Sequence, residues 1–344
     1  MKTSKIPGLG RFGVFIDDLD LDNISDEEWL EIGKIHLETL VTILRNVKLT
    51  TAKHYEDLIK KWGPPRHNRP VHFYEKYGGK KIRDLFFNNE LDEDDRNIVL
   101  NSRDWLVDKH LNISRVTARK NEKGKSLGLF DDGELKWHSN ECGDVLFTPG
   151  VALLGRESMV DSCTGFVTTV DWYEEQPESF RSELDEMIVI HNYEPGRINP
   201  VYNERQEAFY RDNACPYPNA RLPLVIKSPA GIKGIHLGIN TFDCIEGMTK
   251  EESNKIFKRI EDTMFIDKYI YKHWYQQDND LLFFDNSITL HNREIKNNGT
   301  SPNRLAWRTQ FDYDNIAGTY QPYYQQEFND MRNEKMDLYL KAIS

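Results

Sequence analysis

Four cysteines are spread through 344 residues, at Cys142, Cys163, Cys215 and Cys244, and no CxxC pair occurs among them. In a chain of this size that spacing argues for reduced thiols and a cytoplasmic location. Long apolar runs are missing as well. No stretch of about 18 apolar residues exists, so no membrane span is expected. The opening Met1-Lys2-Thr3-Ser4-Lys5 lacks the apolar centre of a signal peptide. Positive charge is in deficit: 45 Lys and Arg stand against 56 Asp and Glu, a formal net charge of −11. One short basic cluster, Arg119-Lys120 with Lys123 and Lys125, does not reverse a field that repels polyanions, so nucleic acid is not an expected partner. The acidity is read as solubility. Neither an internal repeat nor a low-complexity tract is found.

What is present is globular. Hydrophobic residues make up 38% and aromatics 12%, with 7 Trp, 16 Tyr and 17 Phe, enough for a substantial core. The N-terminal part reads as strand, helix, strand, helix. Phe12 to Ile16 is a short apolar run. Ser25 caps a helix, with Glu28 completing a capping box. Apolar residues then recur at Trp29, Ile32, Ile35, Leu40, Ile43 and Leu44 with a helical period. Val47 to Leu49 reads as a strand, and Thr51 opens a helix carrying Tyr55, Leu58, Ile59 and Trp62 that stops at Gly63.

The centre changes character. Leu135 to His138, Val151 to Leu154 and Phe166 to Val170 read as strands broken by Gly, Pro and Asp. Glu178 to Glu186 reads as a helix and Met187 to His191 as a strand. Residues 194–223 sustain no period and are rich in Pro, Asn, Arg and Tyr, so they are expected to form a lid. Thr249, with Glu252, opens a helix whose inner face is Ile256, Ile260 and Met264. Strands follow at Tyr269 to Tyr275, Asp280 to Phe284 and Leu305 to Phe311, and residues 325–343 read as a terminal helix. A strand-rich centre with flanking helices is a mainly β fold, a barrel or sandwich with helical buttresses.

Two stretches carry chemistry. In Leu135-Lys136-Trp137-His138-Ser139-Asn140-Glu141 a strand ends on a histidine, with an amide and an acid just beyond. In Leu282-Phe283-Phe284-Asp285-Asn286-Ser287-Ile288-Thr289-Leu290-His291 an apolar strand runs into a turn and delivers a second histidine, and Arg304 and Arg308 follow. Two imidazoles and one carboxylate on one face of a metal leave the other positions open, as a non-haem Fe(II) oxygenase requires. A dianionic co-substrate then needs a fixed cation, which an arginine fork supplies.

Trp137-His138-Ser139-Asn140-Glu141 resembles the Trp-His-Ser/Thr-Asp box of the taurine dioxygenase-like (TauD/TfdA) family. Phe284-Asp285-Asn286 through His291 is similar to its Trp-Asp-Asn-x-x-x-x-His box, and Arg304-Leu305-Ala306-Trp307-Arg308 to its closing Arg-x-x-x-Arg segment. The resemblance runs from about Phe12 to Phe311. It implies a double-stranded β-helix, a cupin-like jelly roll, within a single oxygenase domain over residues 1–344. Residues 1–64 would form an N-terminal buttress and residues 128–311 the jelly-roll core. It implies Fe(II), 2-oxoglutarate and O2 as requirements, a small-molecule substrate, and succinate and CO2 as co-products. His138 and His291 match the metal histidines. Arg308 matches the arginine that binds the distal carboxylate of 2-oxoglutarate, Thr164 a hydroxyl assisting it, and Arg304 a second arginine near the co-substrate.

The family's carboxylate stands two residues after the first histidine, where this chain has Asn140; Glu141 follows directly. Glu141 is expected as third ligand, reached by a one-residue bulge, with the weaker amide oxygen of Asn140 as the alternative. Loss of the carboxylate opens two other readings, a 2-oxoglutarate-dependent halogenase and a catalytically silent ligand-binding barrel. Asp285 and Asn286 are expected to be turn-formers, Trp137 and Trp307 wall aromatics, and His191, His236 and His273 structural. Substrate walls are expected at residues 112–119, in the lid, and at residues 236–242.

Overall fold

The computed structural model describes residues 2–66, 88–91, 106–108, 111–124, 126–130, 133–140, 142, 148–191, 220–295 and 301–320. The N-terminal elements are β1 (Thr3–Lys5), β2 (Val14–Asp17), α1 (Asp26–Thr39), β3 (Val41–Arg45), α2 (Ala52–Trp62) and β4 (Pro65–Arg66). The Ser25 hydroxyl accepts the Glu28 N–H at 3.2 Å, and Asp26, Glu27 and Glu28 suit the positive end of the α1 dipole. Thr51 caps α2 in the same way. Gly63, which ends α2, is required by space: a Cβ there would lie 1.8 Å from Asp312 O.

The centre holds β5 (Ser114–Thr117), β6 (Leu135–His138), β7 (Gly150–Glu157), β8 (Cys163–Thr168), α3 (Thr169–Glu174), α4 (Glu178–Glu186), β9 (Ile188–His191), β10 (Ala220–Pro223), β11 (Val225–Lys227), β12 (Lys233–Ile235) and β13 (Phe242–Ile245). After it come α5 (Lys250–Met264), β14 (Ile270–Trp274), β15 (Leu281–Asp285), β16 (Thr289–Arg293), β17 (Leu305–Phe311) and α6 (Asp314–Ala317). α5 opens on a complete capping box between Thr249 and Glu252.

The large sheet has the order β1-β2-β3-β15-β7-β17-β4, with β5 also paired to β17; the small sheet is β14-β8-β16-β6. From β6 onward the chain moves between them: β6 small, β7 large, β8 small, then β14 small, β15 large, β16 small and β17 large. The sheets meet through Phe166 of β8 and Phe284 of β15, whose rings are 5.3 Å apart within one buried cluster. This is a double-stranded β-helix, a jelly roll. Strand alternation divides the cores. Leu282 and Phe284 face inward, whereas Leu281 and Phe283 face the helices. There Trp29 of α1 and Trp62 of α2 stack at 4.7 Å and cover Phe283. Each such burial contributes about 1.5–3 kcal/mol, against about 0–1 for an exposed ion pair such as Lys61–Asp26, so the aromatic seam holds the helices. On the far side of the small sheet, Val167 and Leu290 pack under α3, α4 and α5.

Several sequence expectations need correction. α1 does not run to Leu44: Leu40 turns left-handed at φ 61°, and Ile43 and Leu44 belong to β3, which pairs with both β2 and β15. Two-sided pairing of a β-branched run overrides the helical spacing. Val47 to Leu49 is no strand; Lys48 makes only an isolated bridge to Asp20. β8 stops at Thr168 because Thr169 bonds across to Ile235 and Ile288 and starts α3. β1 to β3 extend the large sheet itself. Residues 194–219 of the expected lid and the helix expected at 325–343 lie outside the described residues. The last four residues of the expected lid form β10, paired with β9. Among the described residues no helix is long and apolar enough to cross a membrane.

Candidate metal centre

β6 and β16 are antiparallel neighbours, and their register sets His138 directly opposite His291. The ring centroids are 4.2 Å apart. His138 Nδ1 lies 2.6 Å from Lys136 O, so Nδ1–H donates to that carbonyl and the Nε2 lone pair is left for a ligand. His291 is buried, and its Nδ1 has no hydrogen-bond partner among the described residues. Burial pushes the pKa of His138 down to about 4 and that of His291 well below its ordinary value, with the Arg308 charge acting in the same direction on both. Both rings are therefore neutral at pH 7, the form that ligates a metal.

The segment after His138 is clamped from the second histidine box. Asn286 Oδ1 accepts the Asn140 N–H at 2.7 Å, while Asn286 Nδ2 donates to Asn140 O at 3.0 Å and Thr148 O at 2.8 Å. Asp285 Oδ1 accepts from the N–H groups of Ser287 and Ile288, an Asx turn, and burial raises its pKa to about 7. Asp285 is thus the turn-former expected of it. Asn286 does more, tying the turn before His291 to the chain beyond His138. Glu141 lies outside the described residues. Among the described residues no group of three His, Cys, Asp or Glu could hold a metal; two imidazoles come together, and Asn140 stands beside them in the same cavity.

That cavity has a volume of about 60 Å³. Its walls bring together His138, His291, Asn140, Thr164, Arg304 and Arg308, every site residue expected from sequence except Glu141. Arg293, Tyr275, Ser162 and Asn292 also line it and were not anticipated. Arg293 shares the face of His291, two positions along the strand, a signal readable from alternation alone. Arg293 donates to Gly133 O and Phe130 O, and Arg304 donates to Phe130 O at 2.9 Å. Three buried guanidinium groups around one small cavity suit an anionic occupant. Five buried polar atoms of the wall, Asn140 Nδ2, Ser162 Oγ, Tyr275 Oη, His291 Nδ1 and Asn292 Oδ1, have no hydrogen-bond partner among the described residues. Each costs about 1–3 kcal/mol if left so, which a polar or metal occupant would offset. The donor set therefore fits a metal ion with an oxygen-rich anion beside it.

Of the expected substrate walls, residues 112–119 contribute Val116, and residues 236–242 contribute nothing to this cavity. The three histidines expected to be structural are bonded to the protein: His191 bonds Thr241 Oγ1 at 2.9 Å, His236 donates to Ser287 O, and His273 meets Asp280 at 3.0 Å. Trp137 stacks on Phe265, and Trp307 lies under the Arg156 guanidinium. Cys142, Cys163 and Cys244 are in no disulfide.

A family model described as taurine catabolism dioxygenase TauD, TfdA family matches residues 4–310. Among solved structures, a taurine dioxygenase from Burkholderia xenovorans is 14% identical, with a TM-score of 0.62 over 90% of this chain and 88% of that one. AAD-2 in complex with Mn(II) and N-oxalylglycine is 14% identical, with a TM-score of 0.60 over 93% of this chain and 99% of that one. No curated protein matches the sequence. The two structures speak for the fold. The family match covers most of the chain, and the chain belongs to the TauD, TfdA family of non-haem iron, 2-oxoglutarate-dependent dioxygenases.

Proposed function

We propose that this protein hydroxylates a small organic molecule, consuming O2 and 2-oxoglutarate and releasing succinate and CO2, with His138, His291 and Glu141 holding Fe(II). The observation that carries the reading is the pair of neutral imidazoles facing each other in a cavity that also holds Arg304, Arg308 and Thr164. When bound, the iron supplies the redox chemistry that divides O2 between the keto acid and a C–H bond of the substrate.

The chain's own groups bind and orient. The Lys136 carbonyl fixes the His138 tautomer. Arg308, whose charge is felt by both imidazoles, serves the metal-chelating end of 2-oxoglutarate. Arg304, whose charge reaches Tyr275 beside Thr164, takes the far carboxylate. This exchanges the two arginines relative to the sequence expectation. The supporting argument is electrostatic: the Arg308 charge acts on both imidazoles, whereas that of Arg304 acts on Tyr275. Val116, Phe130, Val151 and Leu153 line the rest and exclude water. The lid and the cytoplasmic location remain part of the proposal.

One observation favours a second reading of the third ligand. Asn140 lines the cavity and its side chain reaches His138, so its amide oxygen is the alternative donor, and a site with that neutral ligand accepts a halide. The test of the main reading is anaerobic Fe(II) titration. One iron per chain is expected, lost in His291→Ala, together with succinate formation from 2-oxoglutarate by the wild type. Unchanged iron affinity in that variant removes His291 from the site.

A further inference from the structure

We infer that Tyr275, with Ser162 directly across the strand pair, forms a hydroxyl clamp for the distal carboxylate of 2-oxoglutarate; this rests on the co-substrate reading above. β8 and β14 pair in the register Thr164↔His273 and Cys163↔Trp274, which continues to Ser162 opposite Tyr275, and the Tyr275 N–H donates to Ser162 O at 3.0 Å. Alternation then puts Ser162, Thr164 and Tyr275 on one face of the small sheet, turned toward the large sheet and the cavity they all line.

Tyr275 is 1% and Ser162 3% exposed, yet the Ser162 oxygen makes no hydrogen bond among the described residues, and the Tyr275 oxygen has the Thr164 hydroxyl beside it without a bond of good geometry. The phenol is held rigidly. His273, itself anchored on Asp280, meets the Tyr275 ring edge-on at 4.7 Å, and the ring lies over Gly155, where a Cβ would come within 3.1 Å of Cε1. The Thr164 hydroxyl and the Arg304 charge draw the phenol's pKa down against burial while Asp280 and Cys163 push it up, and Tyr275 lines the same cavity as Arg304. A buried tyrosine hydroxyl in a wall shared with an arginine and two other hydroxyls, with only the neutral Thr164 hydroxyl beside it, is a donor suited to an anion. Three neutral hydroxyls and one arginine match the several lone pairs of a carboxylate.

The test is calorimetric titration of the Mn(II)-loaded protein with 2-oxoglutarate and with 2-oxopentanoate, which keeps the keto acid but carries a methyl group in place of the far carboxylate. Tyr275→Phe keeps the ring and should weaken 2-oxoglutarate by about tenfold or more, the scale of a hydrogen bond to a charged group, while 2-oxopentanoate affinity is unchanged. Ser162→Ala should show the same selectivity at smaller size and disturbs the packing less. Equal losses for both acids, or no loss in either variant, would overturn the clamp while leaving the co-substrate reading intact. Failure of wild-type protein to bind 2-oxoglutarate would overturn both.

Discussion

Replacing Asn286 with alanine tests whether the candidate site is held by the second histidine box. The side chain is fully buried and makes three bonds that alanine cannot: it accepts from Asn140 N–H and donates to Asn140 O and Thr148 O. Asn140 and Thr148 are themselves buried, so one donor and two acceptors lose their partners inside the protein. At about 1–3 kcal/mol for each such group, the loss lies between about 3 and 9 kcal/mol. The segment can relax toward water, which favours the lower half, about 3–6 kcal/mol. Against a typical total of about 5–15 kcal/mol that is severe but survivable. Urea unfolding of metal-free wild type and Asn286→Ala, followed by far-UV circular dichroism, measures it, with an unchanged m-value required for the comparison. In the variant that still folds, metal affinity should fall by about 10–100-fold, the scale of losing an outer-sphere support. A variant with wild-type midpoint and wild-type metal affinity would refute the clamp.

Three further outcomes are expected. Glu141→Ala should lose iron and 2-oxoglutarate turnover while Asn140→Ala keeps most of both; the reverse ranking, or chloride bound at wild-type iron by spectroscopy, would assign the ligand to Asn140. Arg304→Ala and Arg308→Ala should each weaken 2-oxoglutarate by about 2–5 kcal/mol, but only Arg304→Ala should spare an analogue without the far carboxylate, and the opposite pattern would restore the sequence order. Stability should fall on acidification. Burial holds His36, His191 and His236 at about 3, about 3 and about 4, so between pH 6.5 and 4 the unfolded chain takes up protons the native state refuses, at up to about 1.4 kcal/mol per pH unit each. Asp285, raised to about 7, opposes this by holding a proton only when folded. In the metal-free protein His138 and His291, also held down by burial, add to this, and the balance of five against one predicts a net loss of up to about 6 kcal/mol per unit; urea midpoints that stay flat or rise from pH 6.5 to 5 would contradict it.

Much of this was readable before the fold was known, where local pattern and tertiary demand agree. Leu135 to His138, Glu178 to Glu186 and Leu305 to Phe311 end where their residue types change, and the structure ends them there too. Ile43 and Leu44 misled because their spacing from Ile32 fits a helix, while two neighbouring strands, far away in sequence, claim them for a sheet. His138, His291 and both arginines stood in ordered boxes. Tyr275, Ser162 and Asn292 stood in none. Their roles arise from register between strands, which no single segment encodes. Asn286 looked like a turn residue because its partners, Asn140 and Thr148, are remote.

Those partners lie 146 and 138 positions away in the chain. Closing a loop of that length costs about 2–3 kcal/mol more chain entropy than closing a ten-residue one, and nothing local offsets it. The two histidines, His138 and His291, are separated by a similar length of chain, since each belongs to one side of the same clamp. The imidazole pair therefore forms together with the β6–β16 rung of the small sheet, across a separation that the β3–β15 and β4–β17 pairings exceed. A metal ion cannot seed such a fold as it seeds a zinc finger. The apoprotein must find its own structure, and the ion then acts on the lifetime of the folded chain by slowing its opening, not on the rate at which the chain arrives there.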